Sequence, residues 1–410
     1  MKNRSFTVVA LSLLATLAGC SSSGETTDAD GATGSVQQHV IKGKPSDDTQ
    51  DAVILLVHYD PSSGEVGQCT GTLLAPNLVL TARHCVADTD PYAACDADGE
   101  PLSAGAVRKN HKADTLYVFK GKDRPDFNRG APKWSGQGSK VLDDGGTNLC
   151  NHDIALVVLK APVEGAQISP IRLDDDVQKG EMITSVGWGV TEKTAQPNQR
   201  QQRSGVKILA VGPNKESRVA PNEFEVGESI CSGDSGGPAL IEPTKAVVGV
   251  VSRGGNMTQP DQSDPSATCI DGENLYTKVA PFKELIMRGY ELAEAEPWLE
   301  GQPDPRLLKP GNACADASEC RSNLCLADPA LEGELSCAQP CTDNSECAEG
   351  TLCTADGDAM VCRPPPPPKK DETKTSGFCS YAPASSTSSS ISGLLLALGA
   401  VVVAARRRRR

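Results

Sequence analysis

The sequence predicts an all-β domain followed by a small disulfide-rich repeat module. From Val40 to about Leu299, apolar runs of five to eight residues, rich in Val and Ile, alternate with clusters of Gly, Pro, Asn and Asp. Such runs are typical of short strands joined by turns. Eight of the sixteen cysteines then lie between Cys314 and Cys362, in a segment too short to bury a sufficient core.

The 410 residues are enough for two or three domains. The formal net charge is −13, and the five C-terminal arginines with Lys2 and Arg4 supply seven positive charges, so the chain without both ends stands at −20. Nucleic acid and anionic membrane surfaces are therefore poor partners for the folded body. Sixteen cysteines indicate an exported, cross-linked protein or a set of metal sites.

Residues 1–20 are predicted to be a lipoprotein-type signal peptide. A short basic start precedes an apolar run over residues 6–17, which is too short to span a bilayer stably. The Leu-Ala-Gly-Cys motif ending at Cys20 resembles the bacterial lipobox, in which this cysteine is lipidated, and Ser21 favours sorting to the outer membrane in that family. A plain signal peptide with an incidental Cys20 is the alternative. Residues 21–39 are polar and predict a flexible propeptide or tether.

Residues 379–410 are predicted to be a sorting or transmembrane tail. Cys379 precedes a Ser-rich stretch, an apolar segment over 391–405 expected to form a short helix, and five arginines. This order resembles the MYXO-CTERM tail of myxobacterial surface proteins, in which processing near the cysteine discards the span. An ordinary C-terminal anchor is the alternative. Both ends predict export to a bacterial outer membrane or cell surface, from which the protein could also be released.

The strands of the β domain are predicted at the apolar runs Ala52–Tyr59, Thr115–Phe119, Ile154–Leu159, Met182–Gly189, Val206–Val211, Ala246–Ser252 and Leu275–Val279. Helical periodicity appears over Pro281–Met287, where Phe282, Leu285 and Ile286 fall on one face. This predicts an amphipathic helix near the end of the domain.

Residues 310–363 are predicted to be a cysteine-rich tandem repeat. The sequence Ser-Glu-Cys recurs at Cys320 and Cys347, a period of 27 residues, with four cysteines in each copy. Two disulfides per copy are expected, and their connectivity stays open. Because the repeat has no His and no Cys-x-x-Cys, zinc is not predicted, and the module is interpreted as a spacer or interaction module. Residues 364–378 are predicted to be a Pro-rich linker.

Three motifs of the β domain contain the residue types of nucleophilic catalysis. His84 lies in Thr-Ala-Arg-His-Cys, Asp153 opens an apolar strand, and Ser235 lies in Gly-Asp-Ser-Gly-Gly-Pro. A serine hydroxyl needs a base, histidine has a suitable pKa, and a buried carboxylate holds the imidazole tautomer. Glycines around Ser235 let the N–H groups of Gly233 and Ser235 converge on a developing oxyanion.

Over residues 40–299 the chain resembles the trypsin/chymotrypsin-like serine peptidases, whose chain order is that of His84, Asp153 and Ser235. The resemblance implies two six-stranded antiparallel Greek-key barrels with the active site between them, and no cofactor or metal. By the same resemblance, His84 is implied to be general base and then acid, Asp153 to orient it, and Ser235 to attack the carbonyl. Gly233 and Ser235 are implied to form the oxyanion hole.

The resemblance also implies disulfides. Cys69–Cys85 would clamp the histidine loop, and Cys231–Cys269 would lie across the substrate pocket. Cys95 and Cys150 remain and are paired by elimination.

Val40-Ile41-Lys42-Gly43 resembles the new N-terminus of an activated family member. Cleavage before Val40 would free an α-amino group to pair with buried Asp234 and order the oxyanion loop, since an uncompensated buried carboxylate is costly. In the alternative, Val40 merely begins the first strand of a constitutively active protein.

By resemblance, four residues form the substrate pocket: Ser229, Ser252, Gly254 and Asn274. They predict preference for an uncharged, small to medium residue before the scissile bond. The chain departs from the family pattern at two positions: Arg253 replaces a usual aromatic residue, and Asn274 replaces a usual glycine and would narrow the pocket. As an alternative, an alignment slip of one residue would put Glu273 in the pocket and favour basic substrates.

The sequence therefore predicts a secreted, surface-anchored and monomeric serine endopeptidase that acts on proteins or peptides through an acyl-enzyme. The alternative is a surface binding or adhesion protein whose peptidase domain is inactive or secondary. His58, His111 and His152 lie in no motif and are interpreted as structural or surface residues, and no spaced acidic cluster resembles a calcium loop.

Overall fold

The computed structural model describes residues 40–130, 132–256, 264, 266–331 and 333–365. The predicted signal peptide, tether and sorting tail, with Cys20 and Cys379, and most of the Pro-rich linker lie outside these residues. The chain divides into two compact units, one reaching Pro340 and one beginning at Cys341. None of the helices in the described part is both long and apolar enough to cross a membrane.

The N-terminal half of the β domain contains a closed antiparallel barrel. Its chain segment contains strands β1 Lys44–Pro45, β2 Val53–Asp60, β3 Glu65–Ala75, β4 Leu78–Thr81, β5 Ala87–Thr89, β6 Ala93–Cys95, β7 Pro101–Ala104, β8 Val107–Asn110, β9 Leu116–Phe119, β10 Gly136–Leu142 and β11 Ala155–Leu159. Six of them close the barrel in the order β10-β11-β4-β3-β2-β9. Strands β5 to β8, which follow β4 and precede β9 along the chain, form two small separate sheets, β5–β8 and β6–β7.

The C-terminal half contains the second barrel. Its strands are β12 Met182–Gly187, β13 Gln201–Val211, β14 Glu223–Val226, β15 Pro238–Ile241, β16 Val247–Gly255 and β17 Glu273–Lys278. They pair in the order β13-β12-β15-β16-β17-β14, and a further β13–β14 pairing closes the ring, with β1 added beside β13. The all-β prediction with two six-stranded antiparallel barrels is confirmed.

Strand residues that point inward fill each barrel with aliphatic side chains. Ile54, Leu73 and Val79 belong to the interior of the first barrel, and Ile183 and Phe224 belong to that of the second. Burying such side chains supplies the main driving force for folding. The segments that contain His84 and Asp153 adjoin strands β4 and β11 of the first barrel.

The predicted amphipathic helix is α1, Lys283–Leu292, preceded by a 3₁₀ turn over Ala280–Phe282. It joins a third apolar cluster that contains Leu78, Leu156 and Ile286. A side chain at Gly289 would come within 2.8 Å of Leu156 Cδ1, so glycine permits the close approach of helix and barrel. The other 3₁₀ turns span Asp48–Gln50, Arg83–Cys85, Ala113–Thr115, Phe127–Arg129, Ala317–Glu319, Pro329–Leu331 and Asn344–Glu346.

Each cysteine-rich copy contains one small antiparallel pair. Strands β18 Cys325–Ala327 and β19 Leu335–Cys337 belong to the first copy, and β20 Leu352–Asp356 and β21 Ala359–Arg363 to the second. In both copies the first cysteine bonds the third and the second bonds the fourth: Cys314–Cys325, Cys320–Cys337, Cys341–Cys353 and Cys347–Cys362. The pattern supplies the connectivity that spacing alone left open.

Candidate active site

The His84 side chain is held by both oxygens of one carboxylate. His84 lies in the single 3₁₀ turn Arg83–Cys85 that follows β4. Its backbone N–H donates to Asp153 Oδ1 at 3.0 Å, and its Nδ1 lies 2.8 Å from Asp153 Oδ2. The Cys69–Cys85 disulfide ties this turn to β3. An ionised Asp153 accepts from Nδ1–H, so the lone pair of the neutral ring is on Nε2.

Asp153 lies two residues before the start of β11 and is 1% exposed. The Ser252 hydroxyl donates a 2.7 Å hydrogen bond to its Oδ2, a contact that the sequence analysis missed because it assigned Ser252 only to the substrate pocket. Burial alone would raise the pKa of Asp153, but the charge and hydrogen bond of His84 and the bond from Ser252 lower it. The carboxylate therefore stays ionised while it orients the imidazole.

His84 has an environment suited to a base. Burial alone would lower the pKa of the ring, whereas the charge of Asp153 and its hydrogen bond raise it, and the net direction is upward. The side chain keeps 22% of its surface exposed, so the ring stays accessible for proton transfer. A base whose pKa lies near the working pH transfers protons efficiently in both directions.

Ser235 is placed beside the histidine turn by backbone contacts. Its carbonyl accepts a 2.8 Å hydrogen bond from the N–H of Thr70, the residue after disulfide-bonded Cys69. Gly236 has a φ of 76°, and a Cβ there would lie 2.8 Å from the backbone nitrogen of Ala82. The nucleophile loop therefore packs against the strand end that leads into His84. Among the described residues the Ser235 hydroxyl forms no hydrogen bond with His84; such bonds are often long before substrate binds.

Two N–H groups of the loop are available for an oxyanion. The N–H groups of Asp234 and Gly236 are used, by Cys231 O and Val251 O. Those of Gly233 and Ser235 have no acceptor within the part of the chain that is described. Gly233 has a φ of 99°, a conformation that favours glycine. This pair is the one that the sequence analysis named.

The conformation of this loop is maintained by the side chain of Asp234. Asp234 is fully buried and accepts hydrogen bonds from the N–H groups of Gly189, at 2.7 Å, and Cys231, at 2.9 Å. A Cβ at either Gly187 or Gly189 would collide with its carboxyl group. The Gly-Trp-Gly sequence of residues 187–189 was a signal for this site that sequence reasoning did not use.

Within the described part of the intact chain, Asp234 lacks a partner of opposite charge in contact. Burial raises the pKa of its carboxyl group to about 7, opposed by the hydrogen bonds from Cys231 and Gly189 and by the charge of Arg124. Among the described residues it forms no salt bridge. An ionised Asp234 is therefore costly near neutral pH.

The segment that begins at Val40 is already packed into the domain. Val40 is 1% exposed, and Ile41 packs with Val190 and the Cys231–Cys269 disulfide. The Ile41 carbonyl accepts a 3.0 Å hydrogen bond from Arg203. Val40 also has a φ of 49°, in a region where a β-branched residue is strained.

The predicted substrate pocket contains Asn274 rather than Glu273. Strand β17 alternates, so that Glu273 is exposed and Asn274 is buried. Asn274 of β17 pairs with Gly254 of the neighbouring strand β16. The Asn274 Nδ2 donates a hydrogen bond to Gly227 O at 3.1 Å, and a Cβ at Gly254 would collide with the Asn274 Oδ1. Ser229 is fully buried. The pocket residues therefore bring no carboxylate, and the carboxamide narrows the space beside Gly254.

Arg253 forms an ion pair that the sequence did not predict. Its two terminal nitrogens each lie 2.7 Å from one carboxylate oxygen of Glu223, which is completely buried. Glu223 also accepts a 3.2 Å hydrogen bond from the N–H of Asn151, two residues before Asp153. The guanidinium is thus used to brace the Asp153 loop, which explains how a charged residue fits beside Ser252.

The three disulfides of the β domain join the pairs that the sequence analysis gave: Cys69–Cys85, Cys95–Cys150 and Cys231–Cys269. The other described histidines form no hydrogen bond with the triad residues, although His58 and His111 line one cleft together with His84. His58 and His111 stack with ring centroids 3.6 Å apart, and His152 pairs with Asp144.

Comparison with known proteins is consistent with this geometry. The family model described as Trypsin matches residues 40–286. A trypsin of Saccharopolyspora erythraea is 24% identical over 228 residues, which cover 53% of this chain and 85% of that protein. Phenoloxidase-activating factor 1 of Holotrichia diomphalia is 28% identical over 56% of this chain and 64% of its own length. The snake venom serine protease KN14 of Trimeresurus stejnegeri is 28% identical over 50% and 72%.

Proposed function

The chain belongs to the trypsin family and is a serine endopeptidase, and we propose that Ser235, His84 and Asp153 are the residues through which it cleaves peptide bonds. Ser235 attacks the scissile carbonyl while His84 takes its proton, and Asp153 orients the ring and stabilises its charge. The acyl-enzyme forms as His84 returns the proton to the leaving amine. Water then attacks the acyl group while His84 takes a proton from it. His84 returns this proton to Ser235 as the acid product leaves.

The observation that carries this proposal is the pair of N–H groups of Gly233 and Ser235, left without acceptors among the described residues and adjacent to the nucleophile. Preorganised donors of this kind stabilise the negative charge that develops on the carbonyl oxygen. The Asp153–His84 contact at 2.8 Å supplies the base. No cofactor is required for this reaction.

We further propose that cleavage between His39 and Val40 activates the enzyme. The new α-amino group would pair with Asp234, which is buried and has no salt bridge among the described residues. Cleavage would also relieve the strain at Val40, because it removes the peptide bond that holds this β-branched residue at a φ of 49°. N-terminal sequencing of the active enzyme should read Val-Ile-Lys-Gly. Full activity in a chain that keeps residues 21–39 would contradict the proposal.

For substrate preference, we propose an uncharged, small to medium side chain before the scissile bond. The narrowing by Asn274 and the outward position of Glu273 support it. A library of peptide substrates that differ only at this position tests it. A preference for Lys or Arg would contradict the proposal.

We also propose that the protein is exported and acts as a monomer at a bacterial outer membrane or cell surface, attached through Cys20 or the tail that begins at Cys379. Cleavage before Val40 would sever the Cys20 lipid and leave the tail as the attachment. Cell fractionation of the wild type, Cys20→Ala and Cys379→Ala separates the two signals. Equal release of all three proteins into the medium would contradict anchoring.

The assignment of catalytic roles is tested with the activated full chain and a peptide substrate. Ser235→Ala and His84→Ala should each lower kcat by several orders of magnitude, since residues of a triad act as a unit. Ser204→Ala, which changes an exposed serine of β13 outside the site, is the matched control for Ser235→Ala. Retained hydrolysis in Ser235→Ala would assign catalysis elsewhere.

A further inference from the structure

A cleft beside the oxyanion loop contains a positive charge that catalysis by the triad does not use. The cleft measures about 400 Å³, and its lining includes Gln68, Arg124, Trp188, Gln196, Ser232 and Gly233. It shares Gly233 with the oxyanion hole, but none of the four residues assigned to the substrate pocket lines it. A substrate that fills the pocket with the residue before the scissile bond can therefore reach this cleft only with a different part of its chain.

Arg124 is held in this cleft by uncharged acceptors. Its Nε donates to Pro197 O at 2.7 Å, its Nη1 to Gln68 Oε1 at 2.6 Å, and its Nη2 to Trp188 O. The guanidinium carbon lies 5.5 Å from the centre of the Trp188 ring. These contacts fix the position of the guanidinium before any ligand binds, which lowers the entropic cost of binding.

The binding capacity of this guanidinium is only partly used. A guanidinium has five N–H groups, and the three bonds leave one on each terminal nitrogen. Arg124 forms no ion pair with a carboxylate in the described part of the chain. The negative charge that acts on Arg124 is that of Asp234, but the Asp234 oxygens bond Gly189 and Cys231.

A carboxylate is the ligand that this arrangement fits best. A preorganised arginine recognises carboxylates through two charge-assisted hydrogen bonds. Burial lowers the pKa of the Arg124 guanidinium, so an incoming carboxylate would compensate a charge that the protein leaves partly unbalanced. Peptide substrates supply such a group as the side chain of Asp or Glu.

We propose that this cleft binds an acidic side chain of the substrate, within the first residues after the scissile bond, through Arg124. The inference rests on the proposed function, because it concerns the leaving-group half of the same substrate. Arg124 is thus a specificity-determining residue that acts on the amine side of the bond, independently of the pocket around Asn274.

Acyl transfer tests this side of the site alone. The activated full chain is acylated by a small ester and offered pairs of peptide amides as competing nucleophiles. Glu-Gly-amide is compared with Gln-Gly-amide, and Gly-Glu-amide with Gly-Gln-amide, so that charge is the only difference within a pair. We expect the Glu peptide to be used about tenfold better than its Gln partner in at least one pair, which corresponds to about 1.4 kcal/mol.

Variants then identify the responsible residue. Arg124→Met should bring the Glu-to-Gln ratio close to one, and Arg124→Lys should keep part of the preference. Lys122→Met removes a nearby exposed cation that pairs with Asp48 at 2.8 Å and should keep the wild-type ratio.

A wild-type ratio near one in both pairs would overturn the proposal, as would a preference that persists in Arg124→Met. If Arg124→Met does not fold, the wild-type ratio and Arg124→Lys decide the matter. An enzyme that forms no acyl-enzyme at all contradicts the proposed function instead. The two failures are therefore distinguishable.

Discussion

The buried carboxylate of Asp234 should make the stability gained on cleavage before Val40 depend strongly on pH. In the intact chain burial raises the pKa of Asp234 to about 7, whereas an unfolded aspartate has a pKa of about 3.9. Because the folded pKa is the higher one, the contribution of this group to stability is fully present below about pH 4 and is lost as the pH rises through 7. The difference of about three pKa units corresponds to about 4 kcal/mol.

Cleavage should restore this free energy near neutral pH. The new α-amino group is charged below about pH 8 and compensates the carboxylate. The cleaved protein should therefore exceed the intact protein in unfolding free energy by up to about 4 kcal/mol at pH 7.5. The gain should be small at pH 4, where Asp234 of the intact protein is protonated and carries no uncompensated charge for the amine to relieve, and should fall again at a pH high enough to deprotonate the amine. For a domain of this size about 4 kcal/mol raises Tm by about 8–16 °C.

Denaturant and thermal unfolding measure this difference with the disulfides intact. A Ser235→Ala background prevents self-digestion, and a specific protease site placed directly before Val40 produces the cleaved form. Asp234→Asn in the same background is the matched control and should show no pH-dependent gain on cleavage. A gain of equal size at pH 4 and pH 7.5, or one that survives in Asp234→Asn, would refute the reasoning.

Three further predictions concern turnover. Ser252→Ala removes the hydrogen bond to Asp153 and should lower kcat about tenfold with KM little changed, since a bond to a charged group contributes about 1.5–3 kcal/mol. An unchanged kcat in peptide hydrolysis would exclude a positioning role for Ser252. Asn274→Gly frees the space beside Gly254 and should raise kcat/KM for large apolar side chains before the bond about tenfold relative to alanine; a constant ratio would show that Asn274 does not limit size. Because Asp153 raises the pKa of His84 and the base must be neutral, kcat/KM should rise with pH through a midpoint above the ordinary histidine value of about 6.5, and a lower midpoint would argue against this pairing.

The motifs around the triad were predictable because the residue types that nucleophilic catalysis needs occur in short characteristic patterns and in a fixed chain order. His84, Asp153 and Ser235 could be named without coordinates, and so could the loop donors that flank the nucleophile. The contact of Ser252 with Asp153 could not, since no local pattern distinguishes a serine that lines a pocket from one that bonds a carboxylate 99 residues away. Arg124 likewise stands in no motif, and only the fold brings it to Gly233.

The choice between Glu273 and Asn274 shows what strand register decides. Side chains alternate along a strand, so a shift by one residue exchanges the buried and exposed positions. The sequence left both possibilities open, and the pairing of Gly254 with Asn274 in β16–β17 places the carboxamide inward. A similar limit applies to β3, Glu65–Ala75, which sequence reasoning missed because its first half is exposed and polar while its second half is buried.

The central claim, that Ser235 is the nucleophile of an enzyme activated before Val40, is tested most directly by labelling with a fluorophosphonate probe and mapping the adduct by mass spectrometry. The account predicts one adduct, on Ser235, in the cleaved wild type, weak labelling in the intact chain, and none in Ser235→Ala. Absence of a Ser235 adduct after cleavage, with the N-terminus verified as Val-Ile-Lys-Gly, would contradict it and favour a binding or adhesion protein.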